Sequence, residues 1–330
     1  MHLIRPSGLA PKSFEQHGAL PIRLTATLSR EFARGRLAAA APDAAEFAEL
    51  DETMGDLTAL YGAVYRPDLV ELDRLVSYKD MASTVLSELA PRLDGVDVVV
   101  LAYATPDIDN REFVGCFIAD TVPGGPLVFS ISDQGPTVPF TALRLAADYL
   151  EDCAGRRALV LVLDQLTAPW EMPDRALVPT CNAAVALVLE HPGARRGAAG
   201  PRTFGWHHTG VGAEEIGAAL ASVRARVGRG AVLIAGRDTP LSDATIAAAE
   251  AVFVADRGRV CTGVWHALDA YRADHPDGRA PVVVVDYDPV WRYLGIAVFD
   301  APAAERTAAP ESTAAAEGVS AAGDAGYAGW

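Results

Sequence analysis

Cysteine is scarce in this chain: four residues in 330, far apart, with no CxxC pair and no metal-ligand spacing. A reducing compartment is therefore expected, and a disulfide framework is not. No apolar run approaches the ~18 residues of a membrane span. The opening MHLIRPSG lacks the apolar core of a secretory leader, so the expected location is the cytoplasm. Positive charge is also short, with 28 Lys and Arg against 43 Asp and Glu and a formal charge of −15. A basic face wide enough for nucleic acid or an anionic membrane is excluded as the main contact. Arg156 with Arg157, and Arg224 with Arg226 and Arg229, read as solvated helix faces. GxSxG, P-loop and HExxH motifs are all missing, so the enzyme classes they mark gain no support. Gly210-Val211-Gly212 precedes a helix but lacks the third glycine and the acidic residue of a dinucleotide site. His207 and His208 are neighbours on a strand and point to opposite faces, which predicts no metal site there.

What is present is apolar residue in quantity, 50% of the chain, enough for one large α/β domain or two fused halves. The organising stretch runs from Phe129 to Asp164: a short strand, a turn carrying Gly135 and Pro136, a helix and a second strand. In the helix, Val138, Ala142, Leu145 and Tyr149 share one face, and Phe140, Leu143, Ala147 and Leu150 the next, which predicts burial. The continuously apolar run from Leu159 to Leu163 suits a parallel strand covered on both faces. Asp133 reads either as an acid or base at the turn or as the cap of the helix that follows.

Before this stretch, the first 75 or so residues are the least legible, with helix-prone segments at Ala38–Ala45 and Phe47–Tyr61. A helix over Lys79–Leu93, a strand from Val96 stopped by Thr105-Pro106, and a short helix near Glu112–Ala119 follow. After it come a strand over Cys181–Leu189, a loop over Gly193–Gly200 and an edge strand at Thr203–Thr209. The second part then repeats the first: a helix over Glu214–Val227, a strand ending at Thr239-Pro240, a helix over Asp243–Val254, and CTGVWHALDAYRADHPDGRAPVVVVDYD from Cys261 to Asp288. Its Ala267-Leu268, Gly278-Arg279 and Val282–Asp286 echo Ala142-Leu143, Gly155-Arg156 and Leu159–Asp164. This predicts an internal duplication, with halves at 1–192 and 193–300 whose turns meet at a shared site. Residues 301–330 are rich in Ala, Gly and Glu and are expected to be a disordered tail, with Tyr327 and Trp330 as possible partner anchors.

Three of these stretches resemble the thiolase superfamily, and within it the ketosynthase III-like branch. VVVLAYATPD is similar to the strand before the family's active-site half. FSISDQGPTVPFTALRLAADYL is similar to its nucleophile strand, elbow and buried helix. CNAAVALVLE is similar to the strand that usually carries a glycine-rich pattern. The resemblance covers roughly residues 75–300 and implies a duplicated, five-layered αβαβα fold, a dimer, and acyl groups held on coenzyme A or an acyl carrier protein.

The family uses a Cys nucleophile with His and His or Asn partners. The resemblance puts Gly135 at the Cys position, with Gln134 or Pro136 as alternatives; chain-length factors of the family often carry Gln there. Gly236 or Arg237 falls at the His position, and Cys261 at the Asn. DPVWRY falls on the late glycine-rich loop, where Pro289 has no N–H to give and Trp291 and Arg292 add bulk. Arg237 and Asp238 are expected to pair across the vacated His site. The resemblance thus implies a catalytically silent partner of an active ketosynthase in polyketide or fatty-acyl biosynthesis, with no cofactor of its own. The alternative is an acyltransferase or hydrolase using Cys261, whose thiol a helix N-terminus would acidify, or Asp133 with water. Cys261 also reads as a small buried residue in place of Asn. His266 lies too far along the helix to pair with it.

Overall fold

The computed structural model describes residues 19–20, 22–33, 51–56, 58–59, 64–69, 74, 76–109, 113–132, 134–152, 157–166, 178–191, 203–228, 230–278 and 280–299. The readings at Ala38–Ala45, Asp133, 193–200 and 301–330, with Tyr327 and Trp330, lie outside these residues. Along the chain the strands are β1 (Ala19–Leu20), β2 (Arg23–Phe32), β3 (Val96–Tyr103), β4 (Leu127–Ile131), β5 (Arg157–Asp164), β6 (Asn182–Glu190), β7 (Thr203–His208), β8 (Val232–Ala235), β9 (Ala251–Val254), β10 (Val282–Asp288) and β11 (Tyr293–Phe299). The helices are α1 (Tyr78–Leu89), α2 (Val114–Thr121), α3 (Val138–Asp152), α4 (Ala213–Val227), α5 (Asp243–Ala248) and α6 (Gly263–Asp274).

The strands form two sheets of one design. The first runs β2-β6-β5-β3-β4 and the second β7-β11-β10-β8-β9, with β1 added outside β7. In both, the third, fourth and fifth strands of the order pair parallel: β5 with β3 and β3 with β4, then β10 with β8 and β8 with β9. The first two strands of each order are antiparallel to their neighbours. The helices repeat as well, so that α1, α2 and α3 correspond in connection to α4, α5 and α6. Pairing of this kind explains the unbroken apolar runs: Leu159–Leu163 and Val282–Val285 are buried throughout because both faces of each sheet are covered.

One core cluster joins Phe140, Leu143 and Leu150 of α3 to Trp265 and Leu268 of α6, and both to Val160 and Val284 of the two sheets. A second cluster packs α1, through Met81, Val85 and Leu86, on the other face of the first sheet, together with Ile118 of α2. A third packs α4, through Ile216, Leu220 and Val223, on the outer face of the second. The result is five layers, αβαβα, with α3 and α6 in the middle. The face of α3 with Arg144 and Leu145 is exposed, so apolar residues do not make this helix buried all round.

Several elements depart from the expectations. The segment Asp243–Val254 is not one helix: α5 stops at Ala248, Ala249 turns to extended backbone, and Ala251–Val254 joins β8 as a parallel edge strand. The β-branched and aromatic side chains of Val252, Phe253 and Val254 suit that edge. Thr203–His208 is not an edge strand, because β1 pairs with its outer side. β8 ends at Ala235 and β3 at Tyr103, each before its Thr-Pro pair. β2 and β11 are strands that the sequence reading did not assign.

Candidate functional site

The two central helices begin beside one another. On the first half, Gln134 leads into a 3-10 turn over Gly135–Thr137, which hands the chain to α3. Gly135 has φ +54, a conformation that favours glycine. On the second half, Val260, Cys261 and Thr262 lead into α6. The Cys261 Sγ donates to the Gly135 carbonyl oxygen at 3.4 Å, so the positions matched to the family's Cys and Asn adjoin. The Gln134 side chain does not face this contact; its Oε1 accepts from Thr141 on α3.

Three aspartates at the ends of apolar strands shape the rest of the site. Asp164, the last residue of β5, takes the free N–H groups at the head of α6. Its Oδ1 accepts from Cys261 N at 2.9 Å, and its Oδ2 accepts from Thr262 N at 2.8 Å and Thr262 Oγ1 at 2.7 Å. Asp288, the last residue of β10, reaches back across the halves to Gly135, where an added Cβ would overlap its Oδ2. Its Oδ1 accepts from Val290 N at 2.8 Å and Trp291 N at 2.9 Å. Two N–H groups of the segment matched to the family's glycine-rich loop thus point at Asp288. Asp286, two residues earlier, lies against Gly236, where an added Cβ would overlap its Oδ1.

Burial pushes the carboxyls of Asp164 and Asp286 up from their ordinary range, against the hydrogen bonds each accepts. Asp238, Asp288 and Asp164 push Asp286 further in the same direction. Burial, then the charges of Asp164 and Asp286, push the Cys261 thiol well up. The expectation of an acidified Cys261 is therefore reversed: its helix end is occupied by a carboxylate, and the residue itself is fully buried.

A cavity of about 440 Å³ opens at this end of the second sheet, lined by Pro136, Gly236, Ala255, Val260, Asp286 and Tyr287, with charged groups at its rim. Arg237 and Asp238 both line it, but they are exposed and form no ion pair with each other. The turn closed by Thr239 N on the Gly236 carbonyl carries them outward, and Asp286 covers Gly236 in their place. Trp291 is half-buried and stacks with Tyr293 at 6.3 Å between ring centres. His266 is half-buried, and burial, then Arg259, lowers its pKa. The Gly210–Gly212 turn is closed internally, since Gly212 N donates to Glu215 Oε2 at 2.6 Å. Among the described residues no cluster fit for a metal ion is present, and no helix is long and apolar enough to cross a membrane.

Sequence reasoning brought Gly135, Gly236 and Cys261 to one region and missed the three aspartates that surround them. The signal was present: LVLVLD and VVVVDYD each end a fully apolar run on Asp, an abrupt charge where the strand leaves the core.

No family model and no curated protein sequence matches this chain. Solved structures do match. A Xanthomonas campestris OleA structure with bound lauric acid and lauroyl-CoA aligns with a TM-score of 0.57 at 12% identity, over 87% of this chain and 100% of that one. OleA from the same organism with acetamide bound aligns at 0.54 and 11% identity, over 87% and 99%. A further variant of that protein aligns at 0.54 and 11%, over 86% and 99%. The OleA fold is thiolase-like. The fold described above is thus thiolase-like across most of the chain.

Proposed function

We propose that this chain, thiolase-like in fold, is a ketosynthase-like subunit that binds acyl groups without condensing them. In this reading it is a cytoplasmic protein of polyketide or fatty-acyl biosynthesis. It pairs with an active ketosynthase and shapes the acyl site across their interface, as a chain-length factor does. The observation that carries the reading is the filling of two reactive positions by carboxylates. Asp288 stands where a side chain at 135 would begin, and Asp286 where one at 236 would begin. A nucleophile or a His at those positions would have to displace these carboxyl groups. The acyl-thioester ligand class is drawn from the bound lauroyl-CoA of the OleA structure.

The alternative, acyl transfer or hydrolysis through Cys261, has against it a thiol that burial and two carboxylates hold protonated. Both readings are separated by intact-mass measurement after incubation with acyl-CoA and acyl carrier protein thioesters, with and without a co-expressed ketosynthase. The silent-subunit reading expects no adduct on this chain and an adduct on a copurifying ketosynthase. An acyl adduct at Cys261 overturns it. So does a chain that remains a homodimer beside every ketosynthase offered.

A further inference from the structure

A second cavity, of about 220 Å³, lies between α4 and α5 on the outer face of the second sheet, away from the seam of the halves. Its floor is Leu220 and Val223 of α4 with Leu233 and Val283 of the sheet, and its walls are small, through Gly217 and Ala248. In the first half the chain fills the corresponding place itself: α2 buries Ile118 and adds Phe117 to the cluster that holds Met81 and Val85 of α1. The corresponding α5 buries no side chain, and its one large apolar residue, Ile246, is 45% exposed. A Cβ added at Gly217 would meet nothing within 4 Å. The repeat thus leaves an apolar hole in its second copy, larger than the engineered cavity of ~150 Å³ that suffices to bind benzene.

Charge sets the class of ligand. Among the described residues that line the cavity none is acidic, in a chain with 43 Asp and Glu, and Arg224 is the one ionic group. It is exposed and forms no ion pair among the described residues. Arg224 follows Gly217 by seven positions, two turns along the same face of α4, so its charge stands about 10 Å along the helix from the space beside Gly217. The hydroxyls of Ser242 and Thr245, also in the lining, bond each other at 2.9 Å, and Ser242 caps α5. Those two are committed, which leaves the guanidinium as the polar group for a ligand to match. Its planar fork of donors fits a carboxylate.

We infer that this cavity is a separate ligand site for a monocarboxylate with a short apolar tail, its carboxylate paired with Arg224 and its tail in the space beside Gly217. The ligand completes the third core cluster as Ile118 and Phe117 complete the second. The site involves no covalent step and is independent of the silent-subunit reading, because it lies on the opposite face of the sheet from Asp286 and Cys261.

The test is calorimetric titration of the full chain with hexanoate and with 1-hexanol, the same tail without the charge. Wild-type protein is expected to bind hexanoate about tenfold more tightly than hexanol, the effect of one charge-assisted hydrogen bond at an exposed rim. R224Q is expected to bind the two equally. G217L puts a side chain into the open space and is expected to lose both. Where G217L does not fold, the wild-type and R224Q titrations decide. Equal affinity in wild-type protein, a preference that survives in R224Q, or no binding of hexanoate overturns the inference. Hexanoate binding unchanged in G217L overturns it too, by placing the ligand elsewhere. So does self-association of the wild-type chain that G217L abolishes, since a second copy then covers the cavity.

Discussion

Gly135 is held by two constraints at once, its positive φ and the Asp288 carboxylate against its Cα. Gly135→Ala should therefore destabilise the protein by about 1–3 kcal/mol, the usual cost of a strained backbone position. Urea unfolding measures it, and an unchanged midpoint removes Asp288 from the role given to it here. Cysteine reactivity offers a second check at this scale. Cys116 is exposed, Cys181 is half-buried with its thiol pushed up to about 11 by burial, and Cys261 is fully buried. Iodoacetamide on the native protein should label Cys116 and spare Cys261, which should react only after unfolding. Rapid native labelling of Cys261 would revive the covalent alternative. Of these residues, Gly135, Gly236 and Cys261 were singled out in the sequence by the resemblance to the thiolase superfamily, which matched them to its reactive positions. Asp164 and Asp288 escaped because they reach across the halves, 97 residues for Asp164 and Cys261, and Asp286 because it meets Gly236 at the end of the neighbouring strand β8.

Elements with long, strongly patterned sequences were legible: α1, α3, α4, α6, β3, β5 and β10 fall where periodicity and apolar runs put them. The failures are short or one-sided. Four residues of β9 follow α5 without a Gly or Pro between them, so the run reads as one helix. β2 alternates buried and half-buried positions only over its first residues, and its partner β6 lies about 160 residues on. Long-range pairing of that kind leaves no local trace. The head of α6 shows what such distant contacts contribute. Its first N–H groups are capped by Asp164 from the other half and not by a neighbour in sequence. Asp164→Ala leaves the N–H groups of Cys261 and Thr262 and the Thr262 hydroxyl without their acceptor in a buried place. A loss of about 2–4 kcal/mol is expected. Hydrogen exchange should quicken at the amides of Cys261 and Thr262 before it does elsewhere in α6; unchanged protection there counts against the capping role.

At the scale of the whole molecule, the repeated sheet order turns two copies of one unit into a single core with buried acids at its seam, and this sets the response to pH. Burial raises Asp107 to about 7, although Gln165, Asp109 and Tyr78 donate to it. Asp164 and Asp286 are raised by burial as well. An unfolded Asp titrates near ~3.9. Between that value and the folded one, the native state holds more protons than the unfolded state, so stability falls as pH rises. The contribution is fully present below the unfolded pKa and is lost as pH climbs through about 7 for Asp107. Two groups work the other way. Glu190 ends below its ordinary range, because Arg23 and Arg157 outweigh its burial, and its contribution is lost as pH falls through that lowered value. His266, lowered by burial and then by Arg259, costs stability only as pH falls below the ordinary histidine range. One half-buried imidazole does not offset three buried carboxyls, and the formal charge of −15 adds self-repulsion at high pH. The urea midpoint should therefore be higher at pH 5 than at pH 8, with about 2 kcal/mol of the difference from Asp107 alone. Asp107→Asn should remove that share of the slope. A midpoint that is flat or rises from pH 5 to pH 8 would mean that these acids ionise in the folded protein without penalty, and that the seam is open to water.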